Sequence, residues 1–596
     1  MAMRTVFRYS CNMSERARPF LPVSAGELHG TPDVVLVTGD AYVDHPSFGA
    51  ALIGRWLAAH GLRVGLIAQP DWRGTKDFAR LGRPSLFFGI TAGCVDSLVA
   101  SRTALGGRRR EDAYSPGGKA GMRPDRACIV YANRVRQVFG NSFIVLGGIE
   151  ATTRRLAHYD AWDDGVRRSI LIDAGADLIA YGMAERTVLA IAGWLGRGRP
   201  QDELTRIAGI VFSLPQRDAG FIPPEACWLP AHEEVERDRQ AFLEAHLMIR
   251  RSTGACVLVQ PHGDRLVVQT PPVTLTTAEL DAAMGLPFSR RPHPSIRGQV
   301  PGLRVVQSSL TTHRGCVGGC AFCVLNLVQR RQVVSRSEGS ILEEAAWLAR
   351  QDFFDGTISD VGGPTADMYR LRCRKNGTAG SCGERLCLVP RPCPNLIVDH
   401  GPQMRLIRRI KAIPGVRHVF IATGVRHDLV LEDPGFLDFL FEEDVIGGQL
   451  SVAPEHVSAR VLRLMGKPPF ERYRRFEALF REKAARLGKP YHLLPYFISS
   501  HPGATLEDAF ALAREVARRH GYLQQIQDFT PTPLSDAACM VHTGTDLGGR
   551  PIHVARTREE KLMQRSLVQF RHPRYRPHAR KALALLGKSF EDLTRP

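Results

Sequence analysis

The sequence predicts an α/β protein in two parts: an N-terminal Rossmann-like, doubly wound sheet and, after it, a partial parallel barrel of the (β/α)6 kind. Two series of apolar, β-branched runs predict it. The first recurs at Val34–Val37, Leu62–Ile67, Leu86–Ile90, Phe143–Leu146 and Leu178–Tyr181, with an amphipathic helix over Gly49–His60 between the opening pair. The second recurs at Leu303–Leu310, Gly356–Val361, Val416–Thr423, Gly447–Val452, Tyr491–Ile498 and Tyr522–Phe529. The segments between these runs are long enough for helices such as Ile341–Gln351 and Phe470–Leu487. On this pattern residues 1–295 make the first domain, 296–550 the barrel with a cysteine-rich insertion at 366–400, and 551–596 a basic C-terminal extension.

A chain of 596 residues, 44% hydrophobic and 23% charged, has the length and balance of a soluble protein with more than one core. No stretch approaches the roughly 18 continuous apolar residues of a membrane span, and Met1–Arg18 lacks a secretory apolar region, so a cytoplasmic protein without a membrane partner is expected. Of the 13 cysteines, seven fall between Cys316 and Cys393, a crowding that favours metal over disulfides in a reducing compartment.

Cys316, Cys320 and Cys323 stand at C-x3-C-x2-C spacing just after the first barrel run. Three thiolates are one short of a structural zinc site, which His313 would complete only from three residues upstream. They suit a 4Fe-4S cluster instead, with one iron left open to an outside ligand. Gly315, Gly318 and Gly319 let the loop fold tightly, and Phe322 can cover a cluster or a flat ring.

The C-x3-C-x-aromatic-C pattern resembles the signature of radical S-adenosylmethionine (SAM) enzymes. That resemblance implies that the open iron chelates the amino and carboxylate groups of SAM, that one electron cleaves SAM to methionine and a 5′-deoxyadenosyl radical, and that a donor such as flavodoxin or ferredoxin supplies the electron. Gly362, Gly363, Pro364 and Thr365 follow the second barrel run, where the superfamily has a Gly-Gly-Glu type motif whose backbone carbonyls hold the SAM amino group. Proline stands in place of the acidic residue, so a carbonyl contact survives and a carboxylate contact does not. An ordinary Gly-Gly-Pro turn also accounts for the string.

Other strand ends, among them Gly424-Val425-Arg426, carry candidate pocket residues, because barrel sites open at the carboxyl face. Glu455-His456 has the composition of an acid–base pair, though adjacent side chains need not point the same way. Pro502-Gly503 with Thr505, Glu507 and Asp508 reads as a turn and a capped helix start. Read together, Val37–Gly49, Leu146–Ala151, Asp360–Thr365 and Gln527–Pro533 resemble the YgiQ family of radical SAM proteins over roughly Pro19 to Lys588.

In doubly wound sheets ligands sit beyond the carboxyl strand ends, here Thr38-Gly39-Asp40 and Gly147-Gly148-Ile149-Glu150. The N-terminal region resembles the cobalamin-binding domains found ahead of many radical SAM cores. The ligand motif D-x-H-x-x-G is not matched: Asp44 adjoins His45, and Gly49 comes four residues later. Cobalamin without a histidine ligand, or a docking or substrate domain, are the alternatives.

Cys373, Cys382, Cys387 and Cys393 form a second group in the insertion, with x8, x4 and x5 spacing that matches no zinc ribbon. Zinc, an auxiliary iron–sulfur cluster and reduced thiols all remain open there. The net charge of +19 and the basic run Arg571–Lys581 with its tyrosine allow an RNA-contacting arm, against the commoner reading of a solvated face. Two functional classes follow: an enzyme starting radical chemistry, with cobalamin-dependent methyl transfer as its variant, or a non-catalytic iron–sulfur redox or sensor protein.

Overall fold

The structure, a computed structural model, describes residues 19–252, 254, 256–382, 386–523 and 525–594. The expectation made for Met1–Arg18 lies outside the described residues. All five predicted N-terminal strands form, as Val34–Thr38, Val64–Ala68, Phe87–Thr91, Ile144–Gly147 and Leu178–Ala180. They pair in parallel, with Val34–Thr38 between Val64–Ala68 and Phe87–Thr91, followed by Ile144–Gly147 and Leu178–Ala180. The sheet then continues through Ile210–Pro215, Arg265–Gln269 and Leu258–His262, all antiparallel, and closes on Cys227–Trp228. This extension was not among the predicted strands.

These strands read as near-continuous apolar runs because both faces of the sheet are covered. Leu36, Phe87, Val145, Leu178 and Phe212 face a layer that includes the helices Gly49–Ala59 and Glu185–Gly196. Their neighbours Val35, Phe88, Ile144, Ile179 and Val211 face the opposite layer, with the helix Ala127–Phe139. The period of two along each strand thus divides one sequence into two cores. The chain order reverses between Val34–Thr38 and Phe87–Thr91, which makes a topological switch point there.

In the second half six strand positions follow one another in parallel. Ser309–Thr311 pairs with Asp360–Gly362, Thr357–Ile358 with His418–Val419, and Gln449–Glu455 with His492–Ser499, which pairs in turn with Gln527–Asp528. A single bridge between Val425 and Val452 joins the third position to the fourth. The helices Glu338–Leu348 and Phe470–Arg486 lie close to their predicted bounds.

The predicted strand Leu303–Leu310 is corrected: Pro301–Val306 is a helix, and only Ser309–Thr311 is strand. Proline at the first helical position suits a helix start, and within the run Leu303 is buried whereas Val305 is 72% exposed, a one-sided burial that no central strand would show. The sixth strand is shorter than predicted, confined to Gln527–Asp528.

The basic C-terminal segment forms the helices Arg558–Val568, Arg576–Leu585 and Phe590–Thr594, whose Met563, Leu567, Leu583 and Leu593 enter the barrel core. The Tyr575 ring there lies beneath the guanidinium groups of Arg565 and Arg574, at 4.9 and 5.8 Å. No helix among the described residues is long and apolar enough to cross a membrane.

Several buried ion pairs tie the halves together, among them Arg290–Glu344 and His246–Asp536; at the cysteine loop Arg314, two residues before Cys316, reaches Glu185 at the start of the helix Glu185–Gly196, 2.6 Å away. Removing one partner of such a pair strands the other charge, at a cost of about 3–5 kcal/mol, whereas replacing both with apolar groups is close to neutral. Glu185→Ala is therefore expected to lower the urea unfolding midpoint markedly, and Glu185→Leu combined with Arg314→Met to recover most of the loss. An unchanged midpoint in Glu185→Ala would show that the pair does not couple the halves.

Candidate functional site

The cysteine loop leaves the strand Ser309–Thr311 through a short hairpin in which His313–Arg314 pairs with Val334–Ser335. Gly315 turns there with φ +86°, and any side chain would run into the Gln332 carbonyl. Gly318 is held for a different reason, since a Cβ would lie 2.7 Å from the Arg426 guanidinium. The loop docks onto later barrel elements at Ala321, whose N–H donates to Met465 O and whose carbonyl accepts from Ala537 N–H, both at 2.9 Å.

Cys316, Cys320 and Cys323 lie close enough to interact electrostatically. Burial raises the Cys316 thiol, and burial together with the other two sulfurs pushes Cys323 up to about 12. Binding a metal here must therefore displace protons. The compensating charge is Arg426, from the strand end Gly424-Val425-Arg426, expected from sequence as a pocket edge but not as a partner of the cysteines. Its Nη1 stands 4.0 Å from Cys320 Sγ, and its other edge makes a two-point pair with Asp428 at 3.1 and 2.9 Å. Burial works against the Arg426 charge, but Asp428 and Cys320 outweigh it and hold the group cationic.

Among the described residues, no three His, Cys, Asp or Glu side chains converge on a single ion. A lone zinc would need sulfurs within about 4 Å of one another, given Zn–S bonds of about 2.3 Å. Thiolates that each ligate a different iron of a cube stand further apart. By its chemistry the donor set at the loop, three soft thiols facing a buried guanidinium, suits a four-iron cluster with one iron left open and is one ligand short of a structural zinc site.

The string Gly362–Thr365 sits directly beside this loop. Gly362 O accepts from Thr312 N–H at 2.7 Å, so one lone pair of that carbonyl is already engaged in the strand ladder. At Gly363 a Cβ would come within 2.6 Å of His313 O, which keeps the floor of the site backbone-thin. Gly363, Pro364 and Thr365 are partly exposed at the barrel mouth. Thr365 donates to Asp367 Oδ1 at 2.9 Å, and Asp367 Oδ2 accepts from Arg426 N–H at 2.9 Å. Phe322 packs edge-on against His501, with ring centroids 5.9 Å apart, and His501 packs against Phe529 at 5.1 Å. These rings line the mouth from the first, fifth and sixth strand positions.

Glu455 and His456 do not act as a pair. Glu455 takes a left-handed backbone, φ +66°, and its carboxylate faces Lys467 at 3.7 Å, whereas His456 Nδ1 accepts from Ser458 N–H. Ser500, at the next strand end, is also left-handed, with φ +61°. Such non-glycine conformations cost about 1–3 kcal/mol each and cluster where a site imposes them. The expected cap is present: Thr505 and Asp508 form a reciprocal capping box.

A cavity of about 330 Å³ opens at the carboxyl ends of the N-terminal sheet. Gly147, Gly148 and Ile149 line it, as do Gly49, Glu185 and Leu325 from the segment just past Cys323. Thr38-Gly39-Asp40 and Glu150 do not; Asp40 pairs with buried Arg123 at 3.0 Å, and Glu150 accepts from Ser97 and Cys128 N–H. Nor does His45 line it: its Nδ1 accepts from Ser47 N–H at 3.0 Å, and neighbouring Asp44 binds Arg55. The cavity lies near the lower end of the ligand-pocket range, about 300–1,000 Å³, and offers no imidazole from this position. It suits a small molecule better than a complete corrinoid.

Residues 20–309 match the family described as Radical SAM N-terminal, and residues 524–594 match a domain of unknown function, DUF3362. A UPF0313 protein of Methanocella arvoryzae is 47% identical over 92% of both chains. Another, from Geobacter sulfurreducens, is 44% identical over 96% of this chain and 95% of its own. The chain belongs to the UPF0313 family. Among solved structures it resembles the radical S-adenosylmethionine methyltransferase TsrM of Kitasatospora setae, solved with cobalamin and a 4Fe-4S cluster bound. That likeness has a TM-score of 0.48 and 15% identity over 85% of this chain and 74% of that one. At that score it bears on neither cofactor nor reaction.

Asp367 has a pH signature. Burial raises its carboxyl from the ordinary 3.8 to about 6, with the His400 and Arg426 charges opposing. A carboxyl that binds its proton more tightly when folded adds stability below the unfolded pKa and loses it as pH climbs through the folded one. Asp367→Asn keeps one acceptor oxygen, for the Arg426 N–H, and puts an NH2 beside the Thr365 hydroxyl, which can turn to accept from it. Because this side chain does not titrate, the variant should gain on the wild type in thermal midpoint between about pH 4 and pH 7. A pH-independent difference would contradict the assignment.

Proposed function

We propose that the chain is a radical SAM enzyme of the YgiQ kind, with Cys316, Cys320 and Cys323 as ligands of a 4Fe-4S cluster. The observation that carries this reading is the three-thiol loop, fixed at the carboxyl end of the first barrel strand and facing the buried Arg426 cation. When bound, the cluster and SAM together supply a 5′-deoxyadenosyl radical by one-electron cleavage of the sulfonium.

The chain's own residues do the rest. Arg426 offsets the negative charge of the three thiolates and is itself held in place by Asp428 and by its backbone bond to Asp367. Gly363, against His313, leaves room for a ligand to approach the backbone, and Pro364 and Thr365 form the rim beside it. Phe322, His501 and Phe529 cover the mouth and limit entry of water. The cavity lined by Gly147–Ile149 and Leu325 adjoins the loop and serves as the substrate pocket. A reduced flavodoxin or ferredoxin is the fitting electron donor, and a reducing cytoplasm the fitting compartment for so many thiols.

Cobalamin-dependent methyl transfer, the second reading, has in its favour the position of that cavity between the sheet ends and the loop. Against it stand the cavity's size and the engagement of His45 elsewhere. A non-catalytic sensor would need the cluster without turnover.

The test is anaerobic reconstitution with iron and sulfide, reduction with dithionite and chromatography for 5′-deoxyadenosine. Wild type is expected to form it, and a variant carrying Cys316→Ala, Cys320→Ala and Cys323→Ala to lose at least a hundredfold of that activity. Product formation by the triple variant would refute the ligand assignment, and a wild type that binds the cluster but forms no product would favour the sensor.

A further inference from the structure

Cys373, Cys382, Cys387 and Cys393 lie in an irregular insertion, yet the fold gathers them. Arg372–Cys373 pairs antiparallel with Gly377–Thr378 on one side and Leu396–Ile397 on the other, so that Cys373 stands opposite both Gly377 and Leu396. Cys393 N–H donates to Cys387 O, and Cys393 O accepts from Leu396 N–H, each at 2.8 Å, which folds the last two cysteines back onto this small sheet. All four thiols then line one cavity of about 360 Å³.

That volume decides between a single ion and a larger group. Four thiolates around zinc, at about 2.3 Å, close on the ion and leave no void. Here no three side chains among the described residues converge on one ion, and the cysteines surround open space. A four-iron cube, with one thiolate on each iron, is an inorganic group that such a four-cysteine space has room to hold.

The surroundings are those of a cluster. Asn376 Nδ2 donates to Cys382 Sγ at 3.3 Å. The Arg331 guanidinium stands beside the group as well, its Nη1 donating to Cys382 O at 3.4 Å. N–H donors aimed at sulfur stabilise thiolates and set the potential of the iron they ligate.

The group is also packed against the first one. Leu386, on the cavity wall, presses on Gly319 so closely that a Cβ there would lie 2.5 Å from its Cδ2. Cys387 and Leu388 share one apolar cluster with Val317, against which Cys316 also packs. Both cysteine groups thus border the same dry core.

We propose that Cys373, Cys382, Cys387 and Cys393 hold a second, auxiliary 4Fe-4S cluster, closed by four protein thiolates and beside the loop cluster. With no open iron it does not bind SAM. The assignment does not depend on the loop triad, and the test separates the two.

Iron, sulfide and zinc would be counted after anaerobic reconstitution, with electron paramagnetic resonance of the reduced protein with and without SAM. The variant lacking Cys316, Cys320 and Cys323 should keep about four irons per chain and a signal that SAM does not change. Cys387→Ser with Cys393→Ser, made in an otherwise wild-type chain, should lose about half of the iron and keep the SAM-responsive signal. An iron-free triad variant whose circular dichroism matches wild type, or one zinc per chain in it, would overturn the proposal. If the triad variant does not fold, the Cys387/Cys393 variant decides: loss of half the iron supports the second cluster, and full iron retention overturns it. A wild-type signal indifferent to SAM, with iron retained in the triad variant, would instead count against the loop.

Discussion

Three thiolates confined to one buried loop repel one another, and the same confinement deprives them of water. The structure answers both problems with the Arg426 guanidinium, 4.0 Å from Cys320 Sγ. A buried cation would itself be costly, so Asp428 meets its far edge at two points and Asp367 accepts its backbone N–H. Around this charge chain the rest is arranged: Gly318 has no side chain because the guanidinium occupies that space, and Asp367 comes from the segment after Gly362–Thr365. The third strand end therefore supports the loop of the first and the turn of the second.

The same loop is one of the places where the two halves meet, alongside the packing of Tyr159 and Phe242 against Ala538 and Cys539. Arg314 carries the Glu185 carboxylate contact, and Leu325 closes the cavity whose other wall is the glycine-rich end of Ile144–Gly147. The cavity is shaped jointly by both halves, with Leu325, two residues past Cys323, on its wall. Under the proposed function this is where the N-terminal sheet presents substrate to the loop.

Much of this was legible in the sequence, and the exceptions have identifiable causes. The five parallel strands were readable because both faces are buried, so their runs are apolar throughout. The triad was readable because its ligands are neighbours in sequence. Arg426 was readable only as a pocket edge at a strand end; that it faces Cys320 was not, since the two lie 106 residues apart and nothing local pairs one arginine with a distant thiol. Leu303–Leu310 misled because a helix with a single buried face can carry the same residue types as a strand, and the start signal, Pro301, fell just outside the run. Glu455-His456 suggested a pair, but the left-handed turn at Glu455 sends the two side chains to different partners. The second cysteine group had no recognisable spacing, and only the three-stranded fold of the insertion brings its thiols around one cavity.

The central claim is that the loop leaves one iron open and that SAM occupies it. Pulsed electron–nuclear double resonance on the reduced, reconstituted protein, with SAM labelled at its amino nitrogen and carboxylate oxygens, tests that directly. Hyperfine coupling from both labels to the cluster is the predicted result. A reduced cluster that shows neither coupling at saturating SAM would contradict the account.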